Sequence, residues 1–197
     1  MAGIDLLERL REIGALKDGH YLLASGRHSG HYVEKFDLLR RPGATSEACL
    51  EIARRFEGDG IDVVVGPTTG GVLIAFETAR LLGVEAGYAE RSAEGDPGRV
   101  FRRGTRFGEG SRVLVVDDIL TTGGSIRETL AALEILLVEV VGVAVLVDRS
   151  GGKVGFGIRL EALARLDIPT WEPAGCPLCA GGTPLVKPGT TAATAEP

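Results

Sequence analysis

The segment from Val113 to Ser125 reads VLVVDDILTTGGS: an apolar run, two adjacent carboxylates, then a turn rich in hydroxyls and glycine. Val113 to Val116 are four consecutive apolar residues, three of them β-branched, which suits a strand buried on both faces. Ile126 to Leu137 carries a helical pattern, so the turn opens a helix. Gly123 and Gly124 can take positive φ and let backbone N–H groups approach a ligand, while Thr121, Thr122 and Ser125 add hydroxyls at the positive end of that helix. Such a cradle suits a phosphate. Asp117 and Asp118 stand directly upstream and would repel an anion unless an uncharged, hydrogen-bonding group lay between. A sugar diol fills that role, so the segment reads as a ribose-phosphate clamp; the plainer alternative is a buried strand and a capped turn with two solvated aspartates. It is neither a Walker loop, lacking GxxxxGK, nor a dinucleotide fingerprint, lacking GxGxxG.

Strands and helices alternate along the rest of the chain. Ile4, Leu7, Leu10 and Ile13 predict an opening helix over 4–13, stopped by Gly14. A second helix is expected over 46–56 after the break at Arg41-Pro42-Gly43, and a third over 72–82. Strands are expected over 61–65 and 84–89, and 113–147 repeats strand, helix, strand. Such βαβ alternation predicts an α/β fold whose ligands gather at the carboxyl ends of parallel strands. With 197 residues, one domain over 1–183 is expected; 184–197, rich in Thr, Ala, Pro and Gly, reads as a frayed tail.

A net charge of −5 argues against a general nucleic-acid binder, so anionic ligands must be held by local clusters. Asp5, Glu8 and Glu12 interrupt any signal-peptide core and no stretch reaches the length of a membrane span, so the expected location is the cytoplasm. Three cysteines are too few for a disulfide framework. Cys176 and Cys179 form a CxxC with metal or redox spacing. Structural zinc normally takes four ligands, and neither a second pair nor a suitable histidine is apparent in the chain, which leaves a tight turn as the simpler reading, although a dimer could join two pairs.

The string DDILTTGGSIRE resembles the phosphoribosyl pyrophosphate (PRPP) signature of the type I phosphoribosyltransferases, and its wording is most similar to the orotate-using branch. The resemblance implies a central, mostly parallel sheet flanked by helices, a small N-terminal hood and a flexible lid. It implies transfer of phosphoribosyl from PRPP to orotate with Mg2+, bound mainly through PRPP and not by direct protein ligands. PRPP contacts are implied for Arg91, for Thr68, Thr69 and Gly70 in the turn Gly66-Pro67-Thr68-Thr69-Gly70-Gly71, and for Asp117, Asp118, Ile119, Leu120, Thr121, Thr122, Gly123, Gly124 and Ser125. Taken alone, the 66–71 turn reads more readily as tight packing of a helix onto a sheet than as an anion site.

In the same resemblance, Arg149 of Asp148-Arg149-Ser150-Gly151-Gly152 contacts orotate, with Thr121 and Tyr32. An arginine fork suits the carboxylate that distinguishes orotate from neutral bases, while a surface pair with Asp148 is the ordinary alternative. Residues 90–104 concentrate Arg91, Arg99, Arg102 and Arg103, followed by Arg106; the resemblance makes them a lid reaching across a homodimer, with Arg102 and Arg103 catalytic on departing pyrophosphate and Asp117 and Asp118 catalytic on the ribose. A solvated basic hairpin is the alternative. Two departures stand out: Ser92 replaces the lysine expected after Arg91, with no Lys or His from there to Arg112, and Ala24 replaces the lysine expected before Ser25-Gly26-Arg27. Arg27, His28 and Lys35 are the nearby basic residues; His20 reads as a loop histidine without chemistry. A phosphoribosyltransferase for another base, or a PRPP-binding regulator, stays open.

Overall fold

A computed structural model describes residues 4–23, 25–93 and 98–188. The chain runs α1 (Leu6–Glu12), β1 (Leu16–Leu22), β2 (His28–Val33), α2 (Lys35–Leu39), α3 (Pro42–Arg55), β3 (Val63–Pro67), α4 (Gly70–Leu82), β4 (Glu85–Arg91), β5 (Arg99–Val100), β6 (Arg112–Leu120), α5 (Gly124–Glu134), β7 (Glu139–Asp148), β8 (Leu160–Arg165), β9 (Thr170–Trp171) and, after a single 3-10 turn, α6 (Pro177–Ala180).

The valine-rich runs form the middle of a six-stranded sheet ordered β5-β4-β3-β6-β7-β8. All neighbours from β4 to β8 are parallel, and β5 closes the edge antiparallel to β4. Side chains along a strand alternate between faces, and the core divides accordingly. Leu114, Val116, Ala144 and Leu146 pack with Leu6, Leu10, Ile52 and Ile74 of α1, α3 and α4; Val113, Val115, Val143 and Val145 pack with Ile126 and Leu133 of α5. Both faces are thus dry, as a parallel sheet requires. The chain steps from β3 out to β4, then returns to β6 on the other side and continues through β7 to β8. The order reverses between β3 and β6, which opens a crevice beyond their carboxyl ends.

A separate three-stranded antiparallel sheet, β1-β2-β9, forms the expected hood. The chain beyond α6 adds to it: the Val186 amide donates to the His20 carbonyl at 2.8 Å and its carbonyl accepts from the Leu22 amide at 2.9 Å. The stretch from Pro184 to Pro188 is therefore tied to β1 where composition predicts a frayed tail; the remainder of that tail lies outside the described residues.

Other boundaries shift for local reasons. Pro42 does not break a helix but starts one, since its missing N–H costs nothing at the first helical position. Strand β6 continues through Asp117 and Asp118 to Leu120, because Ile119 and Leu120 pair with Val147 and Asp148 of β7. Helix α5 stops at Glu134, and Leu137 turns the chain with φ of 54°.

Candidate active site

Helices α4 and α5 start directly after β3 and β6, at the crevice. Asp5 caps α1 and Glu34 caps α2 through their side chains, whereas α4 and α5 begin at Thr69 and Gly123 with no side-chain cap, as do α3 at Arg41 and α6 at Cys176. The first amides of α4 and α5 are left for something else, and a helix start without a carboxylate cap suits an anion. At the start of α5, Gly123 has φ of 79°, and the loop from Thr121 to Ser125 lines a small cavity of about 60 Å3 together with Asp117. At the start of α4 the chain is held close to the sheet. A Cβ on Gly66 would lie 2.2 Å from the Gly71 carbonyl oxygen, and one on Gly70 would lie 1.7 Å from an Asp118 carboxylate oxygen. Only glycine allows that approach.

Asp117 and Asp118 are consecutive on a strand, so their side chains leave on opposite faces. Asp117 borders the small cradle; Asp118 borders a second cavity of about 350 Å3, also lined by Tyr32, Lys35, Phe36, Thr121 and Arg149. Both carboxylates are almost wholly buried, at 8% and 5% exposure. Asp117 accepts from the Asp118 amide at 2.8 Å, and Asp118 accepts from the Ile119 amide at 2.6 Å and meets the Lys35 ammonium at 2.9 Å. Desolvation, reinforced by the neighbouring Asp118 charge, lifts the Asp117 pKa to about 7. A carboxyl held there ionises readily when positive charge arrives or develops beside it.

The remaining wall of the larger cavity is cationic and aromatic. Arg149 does not pair with Asp148, whose carboxylate instead accepts from the Ser150 amide at 2.7 Å and lies 4.0 Å from Arg165. The Arg149 Nε is buried and has no hydrogen-bond partner among the described residues, and burial pushes its pKa down. A guanidinium with an unpaired buried donor beside an open cavity is suited to an anionic, planar group. Desolvation raises the pKa of Tyr32, which keeps its phenol neutral. A larger groove of about 580 Å3 lies at the amino ends of β3, β4 and β6, but it is lined by Asp62, Glu85 and Glu109 and by no basic residue, which disfavours a phosphate there.

The family model for the phosphoribosyl transferase domain matches residues 46–154. Orotate phosphoribosyltransferase of Desulforamulus reducens is 43% identical over 186 residues, covering 94% of this chain and 95% of its own. That of Methylobacterium sp. strain 4-46 is 45% identical over 194 residues, covering 96% and 97%. The chain belongs to the orotate phosphoribosyltransferase family. Among solved structures, the orotate phosphoribosyltransferase of Aeropyrum pernix superposes with a TM-score of 0.67 at 32% identity, covering 82% of this chain and 93% of that one. One from Mycobacterium tuberculosis superposes at 0.65 with 29% identity, covering 82% and 95%.

Within this phosphoribosyltransferase fold, most of the residues expected at the site converge on the crevice. Thr68, Thr69 and Gly70 close β3 and open α4; Thr121 to Ser125 close β6 and open α5; Tyr32 and Arg149 share one cavity with Asp118. Leu120 also lines the small cradle, although its side chain is 1% exposed and packs in the core; its carbonyl accepts from the Arg149 amide at 2.8 Å.

The arginine-rich segment also departs from a uniform lid. Arg91 ends β4, exposed, while its cross-strand partner Arg99 is buried at 6% exposure. Arg99 donates to Thr68 Oγ1 at 3.1 Å and to Ser125 Oγ at 3.3 Å, and its Nε lies 3.3 Å from Glu128, so it braces the two cradles against each other. Strands β4 and β5 pair antiparallel as the hairpin alternative expects, but Arg99 is buried and not solvated; residues 94–97 lie outside the described residues. Arg102 and Arg103 are exposed beyond it, Arg103 with φ of 59° and 3.9 Å from Glu90.

Lys35, one of three basic residues left undecided by sequence, is the one that reaches the site. Arg27 is engaged by Thr170 and Glu172, and His28 is buried in the hood. Position 24 lies outside the described residues.

Proposed function

We propose that the chain catalyses transfer of the 5-phosphoribosyl group from PRPP to orotate, giving orotidine 5′-monophosphate and pyrophosphate, a step of pyrimidine synthesis. The observation that carries this reading is the unpaired Arg149 donor in a cavity that adjoins a phosphate cradle through Asp117 and Asp118. The Thr121–Ser125 cradle suits the 5-phosphate, the Thr68–Gly70 turn suits the pyrophosphate, and the acids between them accept from ribose hydroxyls. Arg149 and Tyr32 then hold the orotate carboxylate and ring. As the anomeric C–O bond loosens, Asp117 and Asp118 lie on the side where positive charge grows, and Lys35 holds Asp118 in place.

The oxygen donors facing this crevice fit a hard divalent cation shared with substrate phosphates, and Mg2+ bound chiefly through PRPP would neutralise the pyrophosphate. Arg102 and Arg103, together with Arg91, are assigned to the leaving pyrophosphate. Arginine stabilises charge but does not donate its proton, so leaving-group stabilisation here is electrostatic. A homodimer completes this reading: Leu73 and Phe76 on α4 and Phe36 on α2 are exposed at 47%, 66% and 48%, an apolar surface suited to a second copy. We assign the protein to the cytoplasm; no helix among the described residues is long and apolar enough to cross a membrane. Chromatographic quantitation of both products from PRPP, orotate and Mg2+ tests the reaction. Equimolar nucleotide and pyrophosphate are expected, and PRPP binding without either product would instead favour a regulator.

A further inference from the structure

We infer that the hood holds a tetrahedral zinc-class cation through His20, His28, Cys176 and Cys179. The histidine pair lies on β1 and β2 and the cysteine pair at the start of and within α6, the two pairs about 150 residues apart in sequence. Their donor atoms nevertheless lie within 4.8 Å of one another. His20 Nε2 is 3.0 Å from His28 Nδ1, 3.4 Å from Cys176 Sγ and 3.7 Å from Cys179 Sγ, and Cys179 Sγ is 3.3 Å from His28 Nδ1. A zinc ion with bonds of about 2.0 Å to nitrogen and about 2.3 Å to sulfur has tetrahedral edges of roughly 3.3–3.8 Å. Four of the six donor separations, 3.0–3.7 Å, are already near that spacing, and the other two lie within 4.8 Å.

Hydrogen bonding alone does not account for this convergence. His20 Nδ1 lies 2.8 Å from the Thr183 carbonyl oxygen, which can only accept, so Nδ1 carries the proton and Nε2 of the neutral ring presents a lone pair. One lone pair cannot serve three neighbours, but it can face a cation that all four donors share. A carbonyl that fixes the tautomer from behind is the usual support of a metal-bound imidazole.

Burial points the same way. His20, His28 and Cys176 are 2%, 5% and 3% exposed, and α6 contributes no buried residue of its own. The small hood is centred on ligand atoms instead of aliphatic side chains, as in domains stapled by a metal. Binding releases the two thiol protons and leaves two thiolates and two neutral imidazoles around a divalent ion, a neutral site. It would clamp the C-terminal segment onto β1 and β2, and β2 ends beside the base cavity at Tyr32.

Elemental analysis and X-ray absorption of the full chain, purified reduced and without chelator, test the inference. About one zinc per chain is expected, with a shell of two sulfurs near 2.3 Å and two nitrogens near 2.0 Å. Cobalt substitution should give tetrahedral visible bands with thiolate charge transfer; Cys179→Ser should weaken that transition and lower zinc affinity at least about tenfold, while His31→Ala, outside the cluster, leaves both unchanged. Metal content below about one-tenth of an equivalent, even after the reduced chain is incubated with excess zinc, would overturn it, as would an oxygen-only shell or a Cys176–Cys179 disulfide in the native protein. The wild-type absorption data decide the matter even if the variant does not fold.

Discussion

At the residue scale, Asp117 links structure to pH. The unfolded carboxyl titrates near 3.8 and the folded one near 7, so between those values the folded chain keeps a proton that the unfolded chain has released. Unfolding then sheds a proton, and stability falls as pH rises through this window. Asp117→Asn carries no such proton while keeping an oxygen to accept from the Asp118 amide. In ligand-free protein its unfolding free energy should decline less steeply than wild type, by at least about 1 kcal/mol in total from pH 4 to pH 7. Denaturant titrations across that range check this; parallel profiles would mean that Asp117 titrates normally. The same substitution should lower turnover, because the charge opposite the loosening C–O bond is gone.

At the element scale, the crevice depends on how closely α4 approaches β6. Gly70→Ala would drive a methyl into the Asp118 carboxylate, with Leu39 Cδ1 at 3.2 Å on its other side. A cost of about 1–3 kcal/mol and a loss of activity are expected, whereas Gly43→Ala in α3, with nothing within 4 Å, should be neutral or slightly stabilising. Thermal unfolding of the two variants separates a local clash from general intolerance of alanine.

This scale also shows what the sequence makes legible. The β6–α5 segment announces itself because buried β-branched residues, acids and glycines each obey a local rule, and the strand, the turn and the helix appear in the order read, with the strand running on to Leu120 and the helix spanning Gly124–Glu134. The Asp pair is legible as a site, but its division between two cavities follows from β6 extending through it, which depends on pairing with β7. Arg99 and Arg102 look alike in sequence; only the β4–β5 pairing buries one and leaves the other exposed. The convergence of His20 and His28 on the CxxC is invisible along the chain, since hood strands and C-terminal turn meet only through tertiary packing.

At the scale of the whole molecule, two surfaces carry the account: the exposed apolar face of α4 and the crevice. Phe76→Asp places a charge on that face and should convert a dimer into monomers in sedimentation velocity without lowering the monomer's thermal stability by more than about 1 kcal/mol. A wild-type monomer at micromolar concentration would remove the second copy from the account. The crevice is tested most directly by steady-state competition, with orotate against adenine, guanine and xanthine at saturating PRPP and Mg2+, for wild type and Arg149→Ala. Orotidine 5′-monophosphate is expected as the product, with a fall of roughly 10–100-fold in kcat/KM for orotate in the variant, the size of a lost charge-assisted pair. Preference of the wild type for a purine, or orotate turnover indifferent to Arg149→Ala, would contradict this reading.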